Sequence, residues 1–85
     1  MKVIFDPTKD AANVEKHGLS FADFSEFDAE PFIEVDLGRD YGELRFRGFG
    51  RIGGVGHSIA FTRTVEGIRL ISFRRAHEKE MRRYE

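Results

Sequence analysis

The chain has 85 residues, 40% of them hydrophobic, with 14 Lys and Arg against 15 Asp and Glu and no cysteine. That suffices for one domain over residues 1–85 but not two. It leaves no run of 18 apolar residues, no basic-then-apolar leader, no disulfide framework and no thiolate metal site, so the cytoplasm is the expected compartment. The formal net charge of −1 hides an asymmetry: residues 1–42 carry 4 Lys/Arg against 10 Asp/Glu, whereas residues 43–85 carry 10 against 5, which points to an anionic partner or to a contact between the halves.

Val3, Ile4 and Phe5 predict a short strand that stops at Asp6-Pro7, a helix N-cap followed by a proline suited to the first helical turn. The helix runs over 7–17, with Ala11, Ala12 and Val14 inward and Lys9, Asp10, Glu15 and Lys16 toward water, and ends at Gly18. Ser20 and Asp23 cap a second helix that carries Phe21, Phe24 and Phe27 on one stripe as core residues. From Pro31 the period becomes two: Ile33, Val35 and Leu37 face the core and Glu34 and Asp36 oppose them. Residues 38–42 read as a hairpin connection, after which Leu44 and Phe46 return to the core face and Glu43, Arg45 and Arg47 lie opposite.

Gly53-Gly54 reads as a second hairpin turn, since neither the dinucleotide-binding nor the phosphate-loop glycine spacing is present. The return strand near 57–64 turns Ile59 and Phe61 inward, Glu66-Gly67 makes a turn, and 68–75 forms an interior strand in which Ser72 and Arg74 share a face. Residues 76–84 form a short helix that must dock to persist, with Ala76, Glu80 and Tyr84 on one stripe. The order β-α-α-β-β-β-β-α describes an α+β domain whose antiparallel sheet is covered by helices on one face.

Three histidines at 17, 57 and 77 sit on separate elements without ligand spacing, so neither a metal site nor a cofactor is expected. No Gly-x-Ser-x-Gly elbow exposes a serine nucleophile. The stronger pattern is guanidinium on one sheet surface: Arg45, Arg47 and Arg74, followed by Glu80 and Tyr84, with Arg82 and Arg83 open to an anion. Arginine presents a charged planar fork that suits phosphate, and RNA cleavage needs only a base, a cation and an acid. The same arginines also suit plain cross-hairpin pairing with Glu34 and Asp36, and His17 suits a helix C-terminus.

Four ordered blocks then coincide with a known pattern: Phe5-Asp6-Pro7-x-Lys9; Asn13-x-x-Lys16-His17-Gly18-Leu19-x-Phe21; Asp40-Tyr41-Gly42-Glu43-x-Arg45 with Gly50; and Arg69-x-Ile71-Ser72-x-Arg74-x-Ala76-x-x-x-Glu80-x-x-x-Tyr84-Glu85. Together they closely resemble the BrnT toxins of bacterial type II toxin–antitoxin systems. The resemblance implies a RelE-like fold, a metal-independent endoribonuclease that inhibits translation, and a BrnA-like antitoxin with a ribbon-helix-helix region through which alone operator DNA is bound. It implies Arg45 and Arg74 as phosphate and transition-state ligands, Glu80 as a base or as the group that orients Arg74, and Tyr84 as an acid or stacking group. Lys16, His17, Arg47, Arg75, Arg82 and Arg83 are the expected RNA contacts, within a hetero-oligomer. Two alternatives remain: a degenerate homologue that binds antitoxin as a corepressor without nuclease activity, and a stand-alone RNA-binding domain, disfavoured because most phenylalanines have core positions.

Overall fold

A computed structural model describes residues 2–37 and 42–85; the hairpin connection expected at 38–42 lies almost wholly outside the described residues. The elements are β1 (Lys2–Ile4), α1 (Pro7–His17), a 3₁₀ turn (Phe21–Asp23), β2 (Phe32–Val35), β3 (Phe46–Ile52), β4 (Val55–Arg63), β5 (Gly67–Arg75) and α2 (Glu78–Tyr84). They build one five-stranded sheet in the order β1-β5-β4-β3-β2. β1 runs parallel to β5 and the other pairs are antiparallel, so the sheet is mixed and not antiparallel throughout.

α1 forms where the sequence places it because both ends are locally encoded. The Thr8 N–H donates to Asp6 Oδ1 at 2.8 Å, and Gly18 takes φ 73°, returning its N–H to the Val14 carbonyl. Its inward face differs from the expected one: Ala11, Ala12 and Val14 are exposed, and Asn13 is the buried residue. Asp10, expected in water, accepts from the Phe21 N–H at 2.8 Å and from the Ser20 hydroxyl at 3.2 Å. The helix is fastened by polar groups to a backbone that has unmet donors and acceptors, so apolar periodicity gives the wrong face.

The second N-terminal helix does not form. Ser20 caps a single 3₁₀ turn and the chain leaves Phe24 extended. A helix would hold the three rings on one stripe, whereas the extended exit spreads them over the sheet. Phe21 stacks edge-on against Phe5, Phe24 against Phe73, and Phe27 lies over Gly50, where a Cβ would come within 2.6 Å of its ring. These rings join Ile59, Phe61, Ile68, Leu70 and Phe73 in the main core. At Asp28 the carboxylate accepts from the N–H groups of Gly53 and Gly54, both at 2.9 Å, and so caps the β3–β4 turn, whose glycines adopt φ 59° and 81°.

The helices do not share a face of the sheet. α1 packs along β5, whereas α2 lies on the opposite side, where Met81 joins Phe49 and Ala76 in a second apolar cluster. Gly56 makes this approach possible, since a Cβ there would meet Met81 at 2.5 Å. Arg51 locks the arrangement by donating to Glu78, Glu85 and the Gly54 carbonyl at 2.8–3.3 Å. Among the described residues no helix is long and apolar enough to cross a membrane.

Candidate active site

The face of the sheet that carries α2 is organised in rungs set by the strand register. Phe32, Phe49, Ser58 and Arg74 lie in line across β2, β3, β4 and β5, and Glu34, Arg47, Ala60 and Ser72 form the next rung. Thr62 and Arg69 continue it, with Arg45 and Asp36 at the β3–β2 end, where the Asp36 N–H donates to the Arg45 carbonyl. Ser58, Ala60 and Thr62 are therefore a floor of small side chains between arginines on β3 and arginines on β5. A strand advances about 3.4 Å per residue, so successive rungs are spaced by about 6.8 Å.

Arg69 and Arg74 share this face only because β5 is irregular. Five residues apart, they would point to opposite faces of a regular strand. The register shifts between Ala60 and Phe61, where Ser72 and Leu70 are the successive partners and Ile71 is the extra residue. The bulge turns Arg69 to the same face as Arg74 and turns Ile68, Leu70 and Phe73 to the other, into the core.

Arg74 is the most constrained of these cations. Its Nη1 and Nη2 donate to Glu80 Oε1 and Oε2, each at 3.0 Å, and Nη1 also reaches the Arg75 carbonyl. Glu80 Oε1 accepts from the His77 N–H as well, at 3.0 Å, so one carboxylate holds both the guanidinium and the first turn of α2. The Arg74 hydrogen bonds, joined by the His77 N–H, lower the Glu80 carboxyl to about 2. A carboxylate this weakly basic and this fully occupied orients Arg74 and is a poor proton acceptor.

His17, at the end of α1, lies close enough to feel the Arg74 charge. Burial, the adjacent Lys16 charge and the Arg74 charge all lower its pKa, so the imidazole is neutral at pH 7. Lys16 itself is exposed. Tyr84 is packed between Phe32 and Phe49, with ring centroids 4.5 and 4.4 Å away, and its hydroxyl donates to Glu34 Oε1 at 3.3 Å. Glu34 also pairs with Arg47 at 2.9 Å, the cross-strand contact that alternation anticipates. Arg45 Nε lies 3.8 Å from Glu43, and Glu43 accepts two hydrogen bonds from Arg69 at 3.0 Å.

The structure thus gathers Arg45, Arg47, Arg74, Glu80 and Tyr84 on one face, with His17 within range of the Arg74 charge. Three expected contacts lie elsewhere. Arg75 alternates with Arg74, opposite His57, and is exposed on the other face; Arg82 and Arg83 are on the outer side of α2. Sequence reasoning missed the Arg69–Glu43 pair, the Arg51 clamp and Asn13. Only Asn13 carried a readable signal, standing four residues before His17 on the same helical stripe.

Fold and site together define a small α+β protein with an anion-receptive sheet face, the surface expected of a protein that handles phosphodiesters. A protein-family model described as ribonuclease toxin, BrnT, of type II toxin–antitoxin system matches residues 5–80. The chain belongs to this BrnT family of ribonuclease toxins, and an antitoxin partner is implied with it. No curated protein matches the chain closely.

Proposed function

We propose that the protein is a metal-independent endoribonuclease that inhibits translation in the cytoplasm and is neutralised by a BrnA-like ribbon-helix-helix antitoxin, through which alone the complex reaches operator DNA. The observation that carries this reading is the Arg74 guanidinium, held by Glu80 on a face shared with Arg45 and Arg47 and flanked by a neutral His17. In this mechanism a base removes the 2′-hydroxyl proton, the 2′-oxygen attacks phosphorus, and the 5′-oxygen leaves with a proton from an acid. Arg74 and Arg45 stabilise the charge that builds on the phosphate, and Glu80 keeps Arg74 aimed. His17 is the group with suitable basicity to take the first proton. Tyr84 supplies its ring to the platform and its hydroxyl toward Glu34, while Lys16 and Arg47 extend phosphate binding. A RelE-like fold belongs to this reading as well, supported by a five-stranded sheet that is followed by a C-terminal helix.

The test is RNA cleavage by Arg74→Ala: removal of one transition-state donor lowers the rate by roughly 10²–10³-fold with the fold retained. Full activity in that variant overturns the role of Arg74, and loss of wild-type cleavage in EDTA overturns metal independence. A second reading, an antitoxin-binding corepressor without nuclease activity, is favoured by one observation: Arg74, Arg47 and Arg69 each already hold a carboxylate of the same chain. Induction without antitoxin separates the two, because normal growth with normal soluble expression belongs to the corepressor alone.

A further inference from the structure

Asn13 is buried on α1, at 6% exposure, and its carboxamide makes three hydrogen bonds to backbone. Nδ2 donates to the Leu19 carbonyl and to the Phe73 carbonyl, both at 2.8 Å, and Oδ1 accepts from the Phe73 N–H at 3.1 Å. Toward Phe73 the side chain therefore replaces a neighbouring strand: β1 covers β5 only as far as Arg69, and the carboxamide satisfies the edge beyond it. Toward Leu19 it holds the loop just after His17 and Gly18. The two segments so joined are the ones that carry the imidazole of His17 and, immediately after Phe73, the guanidinium of Arg74.

We infer that Asn13 is a positioning residue for the cleavage reaction: its carboxamide ties the loop after His17 to the strand before Arg74, and so fixes the imidazole relative to the guanidinium. This rests on the proposed ribonuclease reading. An aliphatic residue of similar size would fill the space but leave both Phe73 groups and the Leu19 carbonyl without these bonds. The groups that face His17 are Lys16 on its own helix and Arg74 on β5, the latter backed by Glu80 on α2. A small displacement of the imidazole re-exposes it to water, moves it away from the Arg74 charge and spoils the geometry of proton transfer together.

The experiment measures RNA cleavage against pH for wild type, Asn13→Ala and Arg74→Ala, with His17 titrated by NMR in each folded protein. In Asn13→Ala the rate is expected to fall about 10–100-fold, the scale of a misplaced reacting group. Its acid limb and the His17 titration both move upward toward the ordinary histidine value of about 6.5. An acid limb that stays at the wild-type pH, or a rate that falls only as the folded fraction falls, overturns the inference. Should Asn13→Ala not fold, the wild-type and Arg74→Ala titrations decide: His17 at its ordinary value in wild type, or unmoved by loss of Arg74, overturns it equally. Failure of the ribonuclease reading looks different, since wild type then cleaves no RNA while the titrations still report the Asn13 geometry.

Discussion

The two faces of the sheet are made from the same strands and obey different physics. One face is filled by aromatic and aliphatic side chains, with Phe21 and Leu70 fully buried, and its contacts are non-directional and numerous. The other holds the Met81, Phe49 and Ala76 cluster under α2 and, beyond it, a floor of Ser58, Ala60 and Thr62 between arginines, where the contacts are few, directional and charged. Phe73 and Arg74, adjacent in the chain, belong to opposite regimes. The contrast teaches that stability and chemistry are separated by strand alternation, so that substitutions on one face need not disturb the other.

The largest effect expected of a single change tests the core side of this contrast. Phe21→Ala removes a ring at 0% exposure that meets Phe5 at 5.6 Å. A loss of about 3–5 kcal/mol is expected in denaturant unfolding. Arg74→Ala, by comparison, is expected to cost only about 1–2 kcal/mol through loss of the Glu80 pair while lowering cleavage by roughly 10²–10³-fold. If both variants lose stability equally, the separation of the faces is wrong.

How much of this was legible in the sequence depended on how local the determinants were. The ends of α1 were readable because Asp6-Pro7 and Gly18 act within a turn of their own position. Gly53-Gly54 was readable for the same reason. The helix expected at Phe21, Phe24 and Phe27 was not, because what spreads those rings is the distant strand residues Phe73 and Gly50. The role of Asn13 was missed because its spacing from His17 marks a shared helical stripe but not that its carboxamide satisfies the edge of β5. At the site, the arginines on β3 and Arg74 were placed correctly by alternation, whereas the bulge at Ile71, which brings Arg69 to the same face, leaves no mark on the spacing.

An effect of intermediate size sharpens the comparison on the charged face. The Glu80 carboxyl is held at about 2 in the folded protein, below its ordinary value near 4.5. A group whose folded value is depressed contributes stability above its ordinary value and loses it as pH falls toward the folded value. Wild type should therefore lose stability between about pH 5 and pH 2, and Glu80→Gln should lose less over that window while being about 1–2 kcal/mol less stable at pH 7. Asp28, Glu78 and Glu85 are depressed as well, by turn N–H groups and by Arg51, so the reading is the difference between the two proteins and not the wild-type slope alone. Parallel unfolding profiles from pH 7 to pH 2 would remove Glu80 from the linkage.

The smallest effect asks whether the pairs on the charged face stabilise the fold at all. Arg47 and Glu34 meet at 2.9 Å, but their side chains are 47% and 29% exposed, so water screens the attraction. A double-mutant cycle with Arg47→Ala and Glu34→Ala should give a coupling of about 0.2–1 kcal/mol in unfolding, shrinking in high salt. In RNA binding, Arg47→Ala should weaken affinity for every sequence alike and lower the slope of log K against log salt by about one. Glu34→Ala should do the opposite and strengthen binding, because it frees the guanidinium that RNA must otherwise take from its carboxylate. A large coupling in unfolding with no change in RNA affinity would assign Arg47 to the scaffold, and the boundary between the two regimes would then run through the charged face itself.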